Sequence, residues 1–230
     1  MRLDAILSRY GYCSRREAAM WIKRGRVTVN GVPAKSASAK SEPTDVLVNG
    51  EPIEFPGGLY VALNKPTGYT CSHREEGELV YDLLPPRWME RGDGVSTVGR
   101  LDKETAGLLL LTDDGAFVHA LTSPKRHVPK VYEFVCSAPI PRDAVAMFAG
   151  GEFMLHGEST PCLPAELEIT GECCGRLTLH EGRYHQVRRM LAAVGAPVVE
   201  LTRIAIGPLT LEELHLAPGE WVAIDPSIFA

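Results

Sequence analysis

Apolar positions at the front of the chain recur with two different periods. Leu3, Ile6, Leu7 and Tyr10 follow the i, i+3, i+4, i+7 spacing of one helix face, and Gly11 ends it. Ser14, with Glu17 three residues later, forms a capping box that opens a second helix closed by Gly25. The period then changes to two. Residues 27–34 (VTVNGVPA) and 46–53 (VLVNGEPI) are β-branched runs, each broken by Asn-Gly, the dipeptide best suited to the positive-φ positions of a tight hairpin turn. The pattern predicts a small α/β module of two helices and two hairpins. FPGG at 55–58 reads as a linker, which divides the chain into a module over 1–58 and a body over 59–230.

In the body, short β-rich runs dominate: YVALN, LLLLT, KVYEFVC, ELEIT, RLTLH and WVAI. Helices are predicted near 143–149 and 185–194. The second has an apolar stripe of Val187, Met190, Leu191 and Val194, a stop at Gly195 and Pro197 beyond. Strands and helices alternate irregularly, which favours an α+β body with a mixed, largely antiparallel sheet over repeated βαβ units.

Composition narrows the class. At 230 residues and 45% hydrophobic, the chain can bury one substantial core beside a small module. No run of eighteen apolar residues exists, so no membrane span is expected. Arg2, Asp4 and Arg9 interrupt what a secretion signal would keep apolar. The six cysteines include no C-x-x-C pair, as suits reduced thiols in a cytoplasm. A monomer is the default expectation.

Net charge is -5, but residues 1–40 hold nine basic groups against two acids, while the remainder holds 15 against 27. A basic head on an acidic body points to a polyanion held at the head. Arg15, Arg16, Lys23, Arg24 and Arg26, on or beside the second helix, are the expected phosphate contacts, although charge runs also form plain solvated faces. No Gly-Lys dipeptide exists, which removes the phosphate loop, and G-x-G-x-x-G is absent. The histidines of HEGRYH stand five apart where one helix face needs four, so no metal site is expected.

Residues 98–115, VGRLDKETAGLLLLTDDG, hold four acids. By spacing alone Asp102 reads first as a turn or cap between strands, Asp113 and Asp114 as a strand-end turn, and Glu104 as surface charge. Alternation along KVYEFV puts Tyr132 and Phe134 on one face, where a core tyrosine needs a partner for its hydroxyl. On the last predicted helix Arg188 lies nearer the apolar stripe, as suits a partly buried ion pair, and Arg189 points to solvent or phosphate.

NKPTGY (64–69), GRLDKETAGLLLLTDDG, KVYEF and EGRYHQVRRM together resemble the successive motifs of the RsuA/RluB-type ribosomal RNA pseudouridine synthases. The basic head is similar to the RNA-binding module at the front of those enzymes. The likeness spans essentially the whole chain, and its wording is nearest to members acting on small-subunit ribosomal RNA. It implies an isomerase converting uridine to pseudouridine without cofactor or metal, with RNA in an assembling small subunit as partner. It further implies Asp102 as catalytic aspartate, Tyr132 as active-site aromatic and Arg188 as the basic partner of Asp102. Lys65, Arg100, Arg183 and His185 would contact RNA, as would Arg189. Arg203 and Leu209, in LTRIAIGPL, match a late motif, with Leu209 a wall of the substrate pocket. The alternatives are a synthase acting on large-subunit RNA and a non-catalytic RNA-binding assembly factor. A carboxylate glycosidase is weaker, because it leaves Tyr132 and Arg188 idle and the chain has only three tryptophans.

Overall fold

The structure, a computed structural model, describes residues 1–73, 76–92, 94–123 and 125–230. At the front are α1 (Leu3–Arg9), α2 (Arg15–Lys23), β1 (Val27–Val29), β2 (Val32–Pro33), β3 (Val46–Val48) and β4 (Glu51–Pro52). The capping box forms as predicted: the Glu17 carboxylate accepts from the Ser14 amide at 2.9 Å. Asn30 and Gly31, then Asn49 and Gly50, all have positive φ, which closes both hairpins. The four strands form an antiparallel sheet in the order β2-β1-β3-β4. The helical stripe of Leu3, Ile6 and Leu7 is sealed against Val27, Val46 and Val48. Each such fully buried side chain stabilises by about 1.5–3 kcal/mol.

The body contains β5 (Tyr60–Lys65), β6 (Ser96–Thr97), β7 (Ala106–Thr112), α3 (Gly115–Thr122), β8 (Lys130–Cys136), α4 (Ala144–Ala149) and β9 (Glu166–Gly171). It continues with β10 (Cys174–Leu179), α5 (Gln186–Ala193), β11 (Val198–Ile206), β12 (Leu209–Thr210), α6 (Leu211–Leu214) and β13 (Trp221–Ala223). The main sheet runs β13-β5-β7-β11-β8-β10-β9, with β6 on β7 and β12 on β11. Among the strands of the described residues only β7 and β11 pair in parallel, with one isolated parallel bridge between Thr70 and Leu79 outside them, so the expected mixed, mostly antiparallel sheet is what forms.

The leucine run of β7 is unbroken because both faces of the sheet centre are covered. Leu109 and Leu111 join Val61, Leu63 and Trp88 on one side; Leu108 and Leu110 join Ala62, Leu121, Ile206 and Leu209 on the other. The far half of the sheet has its own core, in which Phe134, Phe148, Leu177, Met190 and Leu201 meet α4 and α5. Tyr132 packs against this core and the Val61–Trp88 core alike, and so stands at their seam. The parallel β7–β11 contact is very close at Gly107, whose φ is +104°. A Cβ there would lie 2.2 Å from the Arg203 carbonyl oxygen, which only glycine avoids.

Two expectations change. FPGG is no free linker: the guanidinium of Arg91, fully buried, donates to the carbonyls of Glu54 and Phe55 at 2.9 and 3.1 Å, and Tyr10 Oη donates to Pro56. Phe55 packs edge-on against Trp88. Nor are Asp113 and Asp114 mere turn residues. Asp113 pairs with Arg91 Nε at 2.9 Å and accepts from the Leu59 amide, and Asp114 caps α3 through the amides of Ala116 and Phe117. The helix they precede is short and nearly all apolar, so the strand-end reading hid it.

Candidate active site

A cleft of about 530 Å³ opens along the seam. Its floor comes from neighbouring strands: cross-strand register sets Tyr132 of β8 opposite Arg203 of β11 and Leu177 of β10, so Tyr132 and Arg203 share a face. Its walls come from the loop through Arg100, Leu101, Asp102 and Thr105, and from residues 179–187 leading into α5. Asp102 is 35% exposed, and its Oδ1 lies 3.2 Å from His185 Nε2. His185 is the residue before α5 and sits in the left-handed region at φ +48°. Tyr132 also lines the cleft, and its hydroxyl has no hydrogen-bond partner among the described residues.

Cations grip the backbone that follows Asp102. Lys65, fully buried at the end of β5, donates through Nζ to the carbonyls of Pro66, Lys103 and Thr105 at 2.9, 3.2 and 2.8 Å. Burial pushes its pKa below the ordinary lysine value. Arg188 Nη2 donates to the Glu104 carbonyl at 2.9 Å and Nη1 to that of Val198 at 3.2 Å. Three successive carbonyls, 103 to 105, thus end on ammonium or guanidinium groups, and the Thr105 amide closes a turn onto the Asp102 carbonyl at 3.0 Å.

This geometry corrects several expectations. Arg188 is not the ion-pair partner of Asp102; it lies on the flank of α5, as its position relative to the apolar stripe suggested, but that flank meets carbonyls, and His185 meets the carboxylate. Lys65 cannot touch RNA, because no part of it reaches the surface. Arg183 borders the cleft, yet its guanidinium is engaged by Glu181 at 3.0 Å and by the carbonyls of Thr160 and Pro161. Arg189, expected toward solvent or phosphate, pairs with Glu158 at 2.8 Å and donates to the His156 carbonyl, and its guanidinium holds the Glu158 carboxyl below the usual range. Both arginines fasten the 156–161 segment to the approach to α5. Leu209 lies in the core on the opposite face of the sheet; Leu201, two residues from Arg203 on β11, lines the cleft in its place.

Arg100 is exposed at the cleft rim, and Arg15, Arg16, Lys23 and Arg24 are exposed on the head with no ion pair among the described residues. Arg26 is only half-exposed, lying over the Trp21 ring and bonding Asn49.

Two cleft residues carry more weight than the sequence suggested. Arg203 is 2% exposed; its Nε donates to the Leu108 carbonyl at 2.8 Å, and its Nη2 is buried with no partner among the described residues, as is Thr105 Oγ1. Lys130 is half-buried, and burial together with the charge of Arg203 lowers its pKa. Period-two alternation places Lys130 on the same face as Tyr132, a signal that was open to sequence reading. The cleft thus combines the exposed Asp102 carboxylate, a second carboxylate, Glu181, already paired with Arg183, an aromatic floor and several cations. That suits an anionic substrate carrying a flat ring. No group of three or more metal-ligating side chains occurs among the described residues.

A family model described as RNA pseudouridylate synthase matches residues 59–193, more than half of the chain and nearly all of the cleft. The chain belongs to this family. An S4 domain model matches residues 1–47 of this synthase. The "Ribosomal small subunit pseudouridine synthase A" of Escherichia coli (strain K12) is 42% identical over 226 residues, covering 96% of this chain and 95% of that protein. The "Uncharacterized RNA pseudouridine synthase YtzG" of Bacillus subtilis (strain 168) is 39% identical over 226 residues, covering 96% and 93%. A solved structure described as "Crystal structure of pseudouridylate synthase" superposes with a TM-score of 0.68 at 36% identity, covering 100% of this chain and 98% of that one. The synthase is thus an isomerase acting on RNA, with an RNA-binding S4 domain at its front. Among the described residues no helix is long and apolar enough to cross a membrane.

Proposed function

We propose that this synthase isomerises a uridine of small-subunit ribosomal RNA to pseudouridine, with Asp102 as the catalytic carboxylate. One observation carries the proposal: Asp102, the more exposed of the two carboxylates that line the cleft among the described residues, sits on a loop clamped by buried Lys65 and half-buried Arg188 and overlooks a cleft floored by Tyr132 and Arg203, while the other carboxylate, Glu181, is held by Arg183. The choice of small-subunit RNA rests on the relatives of that name, which align over 96% of the chain.

The reaction breaks the ribose C1′–N1 bond, turns the uracil, and forms C1′–C5; the C5 proton leaves and N1 gains one, so no electrons are lost or gained. An anionic group beside C1′ opposes the positive charge that develops on the sugar, and Asp102 supplies it. The uridine must first leave its stack. Tyr132 then supports the extruded base from below, with its unengaged hydroxyl available for proton transfer at the ring. Arg188 and Lys65 do not touch substrate in this scheme; they position the Asp102 loop from behind. Arg203 and Lys130 bring positive charge to the cleft floor against the RNA backbone.

The free basic side chains of the head, Arg15, Arg16, Lys23 and Arg24, together with Arg100 at the rim, are the proposed phosphate contacts. We place the division between the RNA-holding module and the catalytic body at residues 58 and 59. The enzyme works as a monomer in the cytoplasm, on RNA within an assembling small subunit.

The test is incubation with unmodified small-subunit RNA, free and in early ribonucleoprotein, and with large-subunit RNA, followed by mapping of pseudouridine. One new pseudouridine in small-subunit RNA is expected. Modification confined to large-subunit RNA would overturn the substrate assignment, and no product with either would overturn the activity.

A further inference from the structure

Tyr184 is 70% exposed, and its hydroxyl has no hydrogen-bond partner among the described residues. Its ring nevertheless has a neighbour. It lies flat on the imidazole of His185, with 3.8 Å between centroids and 16° between planes. That stack joins adjacent residues, and it coincides with a left-handed backbone at His185, which side-chain-bearing residues adopt only at a cost. The Nε2 edge of the imidazole meets Asp102. Tyr184 and His185 border both the main cleft and an adjoining hollow of about 200 Å³ that also reaches Asp102, Arg100 and Lys103. The two aromatic rings thus form a partition at the cleft mouth, and the outer face of Tyr184 is open to solvent.

We propose that Tyr184 is the stacking platform for the base next to the target uridine. When the uridine swings into the cleft, its neighbour loses a stacking partner, and the face of Tyr184 takes the vacated place. The placement fits: the partition stands beside the carboxylate, so the nucleotide adjacent to the reacting one passes over it, while Arg100 and Lys103, both exposed, flank the hollow where the backbone runs on. A phenol face accepts any base, so this contact sets affinity and geometry, not sequence. The proposal rests on the RNA reading of the cleft given above.

The test uses synthetic small-subunit RNA fragments containing the modified uridine, with either neighbour intact or replaced by an abasic residue. On intact RNA, Tyr184→Leu is expected to raise KM about tenfold with kcat within about threefold of wild type, and Tyr184→Phe to restore KM. On the fragment lacking the stacked base, wild type should itself show the raised KM, and Tyr184→Leu should add little. Wild-type kinetics in Tyr184→Leu, or a loss undiminished on both abasic fragments, would overturn the proposal. Absence of wild-type turnover on any ribosomal RNA would instead overturn the RNA reading beneath it.

Discussion

Replacing Lys65 by methionine removes the ammonium group behind Asp102 while keeping most of the side-chain volume. Lysine Nζ serves three carbonyls, of which that of Lys103 also accepts from the Gly68 amide at 2.9 Å. Lys65→Met therefore leaves two, those of Pro66 and Thr105, without this donor. The buried Thr105 acceptor left unpaired costs about 1–3 kcal/mol and the partly buried Pro66 acceptor, which water can reach, about 1–2 kcal/mol, so the direct loss is about 2–5 kcal/mol. Burying the ammonium carries its own desolvation cost, which its lowered pKa reflects and which methionine relieves. The net effect is about 2–4 kcal/mol of destabilisation. For a chain of this size each kcal/mol moves Tm by roughly 2–4 °C, so a fall of about 5–15 °C is expected in a thermal melt. Turnover should fall further than stability alone requires: with the 103–105 backbone released, Asp102 loses its bearing on the cleft, and a displacement near 1 Å is enough for about a hundredfold loss. Single-turnover kinetics well below the melt separates the two effects. A Tm within about 2 °C of wild type together with unchanged turnover would refute the idea that Lys65 holds the loop.

Other substitutions probe the same framework. Arg188→Met loses the contacts to Glu104 and Val198 and should lower kcat about 10- to 100-fold with KM nearly unchanged, because the side chain touches backbone and not RNA; a raised KM at unchanged kcat would place it on the substrate instead. Tyr60 gives a pH signature. Burial and its bond to Asp114 push the Tyr60 hydroxyl up to about 12 from an ordinary 10, so above pH 10 the unfolded chain ionises first, binds fewer protons than the native state, and stability falls until about pH 12. Tyr60→Phe should flatten that decline in denaturant titrations, and an identical slope in both proteins would contradict it.

The local part of the fold was legible because its causes are local. Ser14 with Glu17 caps a helix through residues three apart, and Asn30-Gly31 turns a hairpin through its own backbone preference. The last long helix was legible because Val187, Met190 and Leu191 sit on one stripe. What could not be read from spacing was where a charged side chain ends. Arg188 was placed correctly on the flank of its helix, yet its partners, Glu104 and Val198, lie 84 and 10 residues away and are carbonyls, which every residue offers and no pattern marks. Lys65 and Arg203 sit in strands whose alternation looked ordinary, and only the assembled sheet shows them buried, with Gly107 shaped around the Arg203 backbone. Leu209 failed for a related reason. The chain reverses after Ile206, and β12 lays Leu209 back along β11 on the face away from the cleft. The importance assigned to Asp102 came from the ordered motifs; its accessible position opposite His185 came from the fold.

That carboxylate is the centre of the proposed chemistry. Asp102→Asn keeps the size and the turn while removing the charge, and its bond to His185 can persist as a neutral one. Measured on small-subunit RNA at saturating enzyme, the variant is predicted to bind RNA with wild-type affinity and to form pseudouridine at least about a thousandfold more slowly. Turnover within a few fold of wild type would contradict the assignment and with it the proposed mechanism.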